Sequence, residues 1–72
     1  MFSEREKKRL GRRIKAARTY LKLSQSDLAE RVGATKQCIQ LWEAGKTAPS
    51  ALYLPALSKA FGVSTDVILG IR

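Results

Sequence analysis

Residues 24–45, SQSDLAERVGATKQCIQLWEAG, constrain this chain more than any other stretch, because two helix starts and two helix stops fall within one short run. Ser24 is suited to cap a helix, and Asp27, three positions on, completes a capping-box-like pair. Leu28, Ala29 and Val32 then share one helical face, and Gly33 suits the left-handed residue that ends a helix. Thr35 can cap a second helix, with Ile39 and Trp42 facing inward and Gly45 as its stop. Two helices this short, joined by a three-residue turn, have to cross steeply rather than lie antiparallel. One face of the second helix is thereby left open.

At about 100° per residue, Lys36, Gln40, Ala44, Gln37 and Leu41 fall on one arc of that helix, and Cys38, Trp42, Thr35 and Ile39 on the opposite one. The outward stripe carries a lysine and two long amides. Such donors and acceptors fit the edges of base pairs in a major groove, and equally an ordinary solvated helix face.

Charge separates the partner classes. The chain carries +8 overall, and residues 1–23 hold nine basic and two acidic side chains, against five and four in residues 24–72. That asymmetry points to a polyanion met partly through the first helix. The membrane alternative is weak, because Leu10, Ile14, Ala17 and Leu21 make an apolar stripe one residue wide. No apolar run approaches a membrane span, and no signal peptide is visible at Met1. A single cysteine forms no internal disulfide and fits the reducing cytoplasm. The chain has no histidine, its only adjacent acids, Asp27 and Glu30, have no second pair to work with, and it has no phosphate-cradling glycine loop, so neither an enzyme nor a metal or cofactor site is expected, nor a small-molecule substrate.

The rest of the chain reads as helix. Ser3 and Glu6 mark a start for a helix running to about Leu21; Arg5, Lys7, Lys8, Arg9, Arg12 and Arg13 read as its solvated face. Pro55 belongs in the first turn of a fourth helix beginning near Tyr53 and ending at Gly62. Ser64 caps a short fifth helix through Leu69, stopped by Gly70. The expectation is an all-α, five-helix single domain over 1–72, with a marginally stable core of Leu10, Ile14, Leu21, Leu28, Val32, Ile39, Trp42, Leu54, Leu57, Phe61, Val63 and Ile68. No aromatic stacking platform for RNA is visible, since Trp42 turns inward and Tyr53 stands alone.

Residues 23–50, LSQSDLAERVGATKQCIQLWEAGKTAPS, closely resemble the helix-turn-helix of the Cro and phage-repressor family of DNA-binding proteins. The resemblance rests on Gln25, Leu28-Ala29, Val32-Gly33, Ile39, Glu43, Gly45, Pro49 and the run LSKAFGVS from Leu57 to Ser64, and it covers roughly residues 10–70. It implies a compact, lambda-repressor-like domain with its helix-turn-helix at about 25–43, laid in the major groove of a double-stranded operator and regulating transcription. It places base contacts at Lys36, Gln37 and Leu41, to which the helix geometry adds Gln40. Ser24, Gln25, Thr35, Lys46, Thr47 and Lys15 are expected on phosphates. The resemblance also pairs Arg18 with Glu43 as an ion pair pinning the first helix to the third. Relatives bind as two-fold dimers, for which Tyr53, Val67, Ile71 and Arg72 are the candidate surface here. An antitoxin-type regulator, which adds a protein-binding surface, is the alternative. A chain ending just after its fifth helix fits either a complete small regulator or the first part of a two-domain repressor.

Overall fold

The computed structural model of the chain describes residues 2–70. Five helices follow one another: α1 (Glu4–Tyr20), α2 (Gln25–Val32), α3 (Lys36–Glu43), α4 (Leu54–Phe61) and α5 (Thr65–Leu69), with no strand among the described residues. Each boundary has a local cause. Ser3 Oγ accepts the Glu6 N–H at 3.1 Å while Glu6 Oε1 accepts the Ser3 N–H at 2.9 Å. Ser24 and Asp27 repeat this reciprocal box at the start of α2, both bonds at 2.9 Å. Thr35 Oγ1 accepts the Cys38 N–H at 3.1 Å and opens α3. Helix α4 has no side-chain cap and begins instead with Pro55 in its first turn, where a missing N–H leaves no intrahelical bond unmade.

The turn between α2 and α3 depends on Gly33, whose φ of 74° lies in the left-handed region that other residues enter at a cost. The Ala34 N–H then reaches back to the Ala29 carbonyl at 2.9 Å, closing the end of α2. At the end of α1 the same conformation falls on Lys22, with φ of 59°, although it is not a glycine.

The core draws on every helix. Leu10 and Ile14 come from α1, Leu28, Ala29 and Val32 from α2, Ile39 and Trp42 from α3, Leu57 from α4 and Ile68 from α5. Burying each large member fully contributes about 1.5–3 kcal/mol. Two expected members lie outside it. Leu21 is 39% exposed and Val63 37% exposed. Leu21 is the residue at which α1 unwinds, and Val63 follows the glycine that ends α4, so the helical spacing that assigned them stops before their side chains can turn inward. Leu54 and Phe61 are half-buried at the core's margin. Tyr53 does not stand alone: its ring tilts against Trp42, centroids 5.2 Å apart.

Helix α1 lies against the end of α3 through Gly11, which is buried. A Cβ there would come within 2.2 Å of the Trp42 carbonyl oxygen and 3.0 Å of that of Glu43. Only a residue without a side chain lets the two backbones approach this closely.

Candidate nucleic-acid interface

The packing of Ile39 and Trp42 into the core fixes the rotation of α3. Lys36, Gln37 and Gln40 are consequently exposed, and none of the three side chains forms a hydrogen bond within the described residues. Leu41 is half-buried at the edge of this stripe, and its carbonyl accepts the Lys46 N–H at 3.0 Å. The result is a short helix whose long polar side chains are free to meet an external donor or acceptor. Cys38 lies half-buried on the other side of α3. There the Thr35 side chain, and then the Thr35 backbone, hold its thiol below the ordinary value.

A three-way polar junction sets the tilt of α3. Arg18 donates from Nε to Glu43 Oε2 at 2.6 Å and from a terminal nitrogen to Glu43 Oε1 at 3.0 Å, a bidentate pair. A further Arg18 N–H reaches the Leu23 carbonyl at 2.8 Å. The Gln25 Nε2 donates to Glu43 Oε1 at 3.1 Å. One carboxylate thus joins α1, α2 and α3, while the Arg18 guanidinium ties in the α1–α2 turn through Leu23. The pair is well shielded, with side-chain exposures of 11% for Arg18 and 5% for Glu43. Its hydrogen bond to Glu43 raises Arg18 above the ordinary guanidinium value, overcoming the opposing effect of burial.

Of the residues expected on phosphates, Thr35 caps the start of α3, Lys46 and Thr47 follow its end, Ser24 and Gln25 open α2, and Lys15 lies on α1. Ser24 and Thr35 use their oxygens as cap acceptors, which leaves each hydroxyl proton available to an outside acceptor. Lys15, Lys46 and Thr47 are exposed. Gln25 is half-buried and directs its amide nitrogen at Glu43, so the residue expected on a phosphate also holds the junction. Of the candidate dimer surface, Val67 is 45% exposed and Tyr53 is half-buried against Trp42; Ile71 and Arg72 lie outside the described residues. Gly11 is the positioning residue that helical spacing alone did not single out. Its signal was a glycine three residues before Ile14, on the inward face of an otherwise unbroken helix.

Among the described residues no helix is long and apolar enough to cross a membrane. The helix-turn-helix family model matches residues 14–68. Repressor protein C2 of Salmonella phage P22 is 42% identical over 60 residues, covering 83% of this chain and 28% of the repressor. A SPbeta prophage-derived HTH-type transcriptional regulator of Bacillus subtilis, YonR, is 41% identical over 59 residues, covering 82% of this chain and 55% of that protein. The chain therefore spans between about a quarter and about half of these relatives. Among solved structures, the P22 c2 repressor in complex with a synthetic operator superposes with a TM-score of 0.79 at 41% identity, covering 82% of this chain and 89% of that one. The solution structure of the P22 C2 DNA-binding domain gives the same TM-score at 42% identity, covering 83% and 79%. With its capped helix pair, its glycine turn and a match across most of its length, the chain belongs to the helix-turn-helix family of phage-type repressors and regulators.

Proposed function

We propose that the protein is a sequence-specific, double-stranded DNA-binding regulator of transcription of the phage-repressor type. The observation that carries this reading is the face of α3: three long polar side chains, exposed and unbonded, on a helix fixed in rotation by Ile39 and Trp42 and in tilt by Glu43. Gln37 reads adenine through two hydrogen bonds, Lys36 reaches guanine acceptors, Gln40 extends the same stripe, and Leu41 offers an apolar edge to a thymine methyl. Ser24, Gln25, Thr35, Lys46, Thr47 and Lys15 hold the backbone and fix register without reading sequence. The protein acts by binding, as a single domain in the cytoplasm, and two copies occupy a two-fold operator with half-sites about one helical turn apart. Selection of bound duplexes from a random pool at two salt concentrations tests the reading. A defined, palindromic motif that survives the higher salt supports it; enrichment of no sequence at either concentration overturns it.

A further inference from the structure

The six basic residues read as the solvated face of α1 are not equivalent: five are exposed and Lys7 is not. Lys7 is half-buried and lines a cleft of ≈410 Å³ together with Phe2, Lys46, Thr47 and Pro49. Lys8 is held beside it by the backbone. A Cβ on Gly45 would come within 3.0 Å of the Lys8 Cα and 2.7 Å of its Cγ, so the stem of Lys8 rests on the residue that ends α3. Lys46 follows that residue directly. Three ammonium groups are therefore carried by elements that pack together at the C-terminal end of α3.

The cleft lacks the means to neutralise them from the loop side. The sequence holds no acid between Glu43 and Asp66. Among the described residues no protein acceptor meets the N–H of Ala48, Ser50 or Ala51, which edge the same cleft. On the α1 side, the Glu6 carboxylate is held by the Ser3 N–H. Among the described residues only Glu4 pairs with a cleft lysine, Lys7, at 3.0 Å, and its side chain is 78% exposed. A pair as exposed as this is worth little and is readily exchanged for another anion.

We infer that Lys7, which lines this cleft with Lys46 and Thr47, and Lys8, whose stem lies on Gly45 beside it, form a second backbone clamp that grips a DNA phosphate beyond the base pairs read by α3. The inference rests on the DNA-binding reading above and extends the footprint from the α3–α4 loop onto the first turns of α1. Within the clamp the phosphate takes the place of the Glu4 carboxylate on Lys7 and accepts from Lys8 and Lys46. The contact is blind to sequence, because it touches no base.

The test compares the full chain with the double variant Lys7→Gln/Lys8→Gln and with Arg9→Gln. Arg9 is exposed and lies on the side of α1 opposite Lys7, so it removes charge from the same helix away from the cleft. Affinities for the selected duplex and for a scrambled one are measured across a salt series, with far-ultraviolet circular dichroism to verify folding. The double variant is expected to bind both duplexes more weakly and to flatten the salt dependence by about 0.9 per lost contact. Arg9→Gln is expected to change the slope by less than half as much. Equal slopes for the Arg9 and double variants, or a double variant with the slope of the parent protein, overturn the clamp while leaving base reading by α3 intact. A parent protein that binds neither duplex overturns both.

Discussion

Replacing Gly11 with alanine should destabilise the protein, reversing the sign expected of that exchange inside a helix. Alanine is favoured over glycine in a helix interior by about 1 kcal/mol. Here the new methyl group would stand 2.2 Å from the Trp42 carbonyl oxygen and 3.0 Å from that of Glu43. Carbon and oxygen ordinarily approach to about 3.3–3.6 Å, so the end of α3 has to retreat by roughly 1 Å. Neither obstacle is a flexible side-chain tip. The Trp42 oxygen accepts the Gly45 N–H at 3.1 Å, and Glu43 is tied to Arg18 and Gln25. Overpacking against a backbone of this kind costs about 1–3 kcal/mol, occasionally more, of which improved helix propensity offsets about 1. At 2.2 Å from a backbone oxygen the cost falls in the upper part of that range, about 2–3 kcal/mol, so the net loss of about 1–2 kcal/mol corresponds to a fall in Tm of about 4–16 °C for a domain of this size. Thermal and urea unfolding measure it, with affinity for the selected duplex as a second readout that reports the displaced α3. A Gly11→Ala protein that melts at or above the temperature of the parent would refute the close approach of α1 to α3.

Four further outcomes are expected. Gln37→Ala should relax preference at one base position by about 1–3 kcal/mol, whereas Lys46→Gln should weaken all duplexes alike and flatten the salt dependence; binding-site selection and salt titration separate the two. Arg18→Met leaves the shielded Glu43 carboxylate without its main partner and should cost about 3–5 kcal/mol in urea unfolding, with the combined Arg18→Met/Glu43→Gln variant recovering part of the loss. Lys22→Gly relieves a left-handed residue and should raise stability by about 0.5–1 kcal/mol, read as a shift in the urea midpoint. Asp27 and Glu6 are both held below the ordinary carboxylate value, first by backbone and then by side-chain hydrogen bonds at Ser24 and Ser3. Their contribution is therefore complete above the ordinary carboxylate pKa and is lost as pH falls through the lower folded value. An acid melt of Asp27→Asn should be flatter than that of the parent over that window.

The helix boundaries were legible because each rests on a few adjacent residues. Ser24 with Asp27, Ser3 with Glu6, Thr35 and Ser64 all cap the helices they announce, and Gly33 takes the left-handed turn between α2 and α3. The outward stripe of α3 was legible for a similar reason: Ile39 and Trp42 anchor it, and a helix with one buried face has only one way to turn. What was not legible depends on partners distant in sequence. Gly11 looks like a weak point in a helix until Trp42 and Glu43 lie against it. Gln25 reads as a phosphate contact alone until Glu43 arrives from eighteen positions away. Leu21 and Val63 continue an apolar rhythm whose helices have already ended, and Lys7 gains a role only when the loop after α3 folds back beside it. Local rules place the helices; the contacts between them decide which side chains remain outside.

The unbonded state of Lys36, Gln37 and Gln40 has a consequence for descent. These three side chains support no other part of the molecule, while Glu43, Ile39 and Trp42 on the same helix hold it in place. On the reading proposed above, mutation can therefore retarget the protein to a different operator through exchanges that leave folding untouched, and a new specificity can arise on an inherited frame without an unstable intermediate.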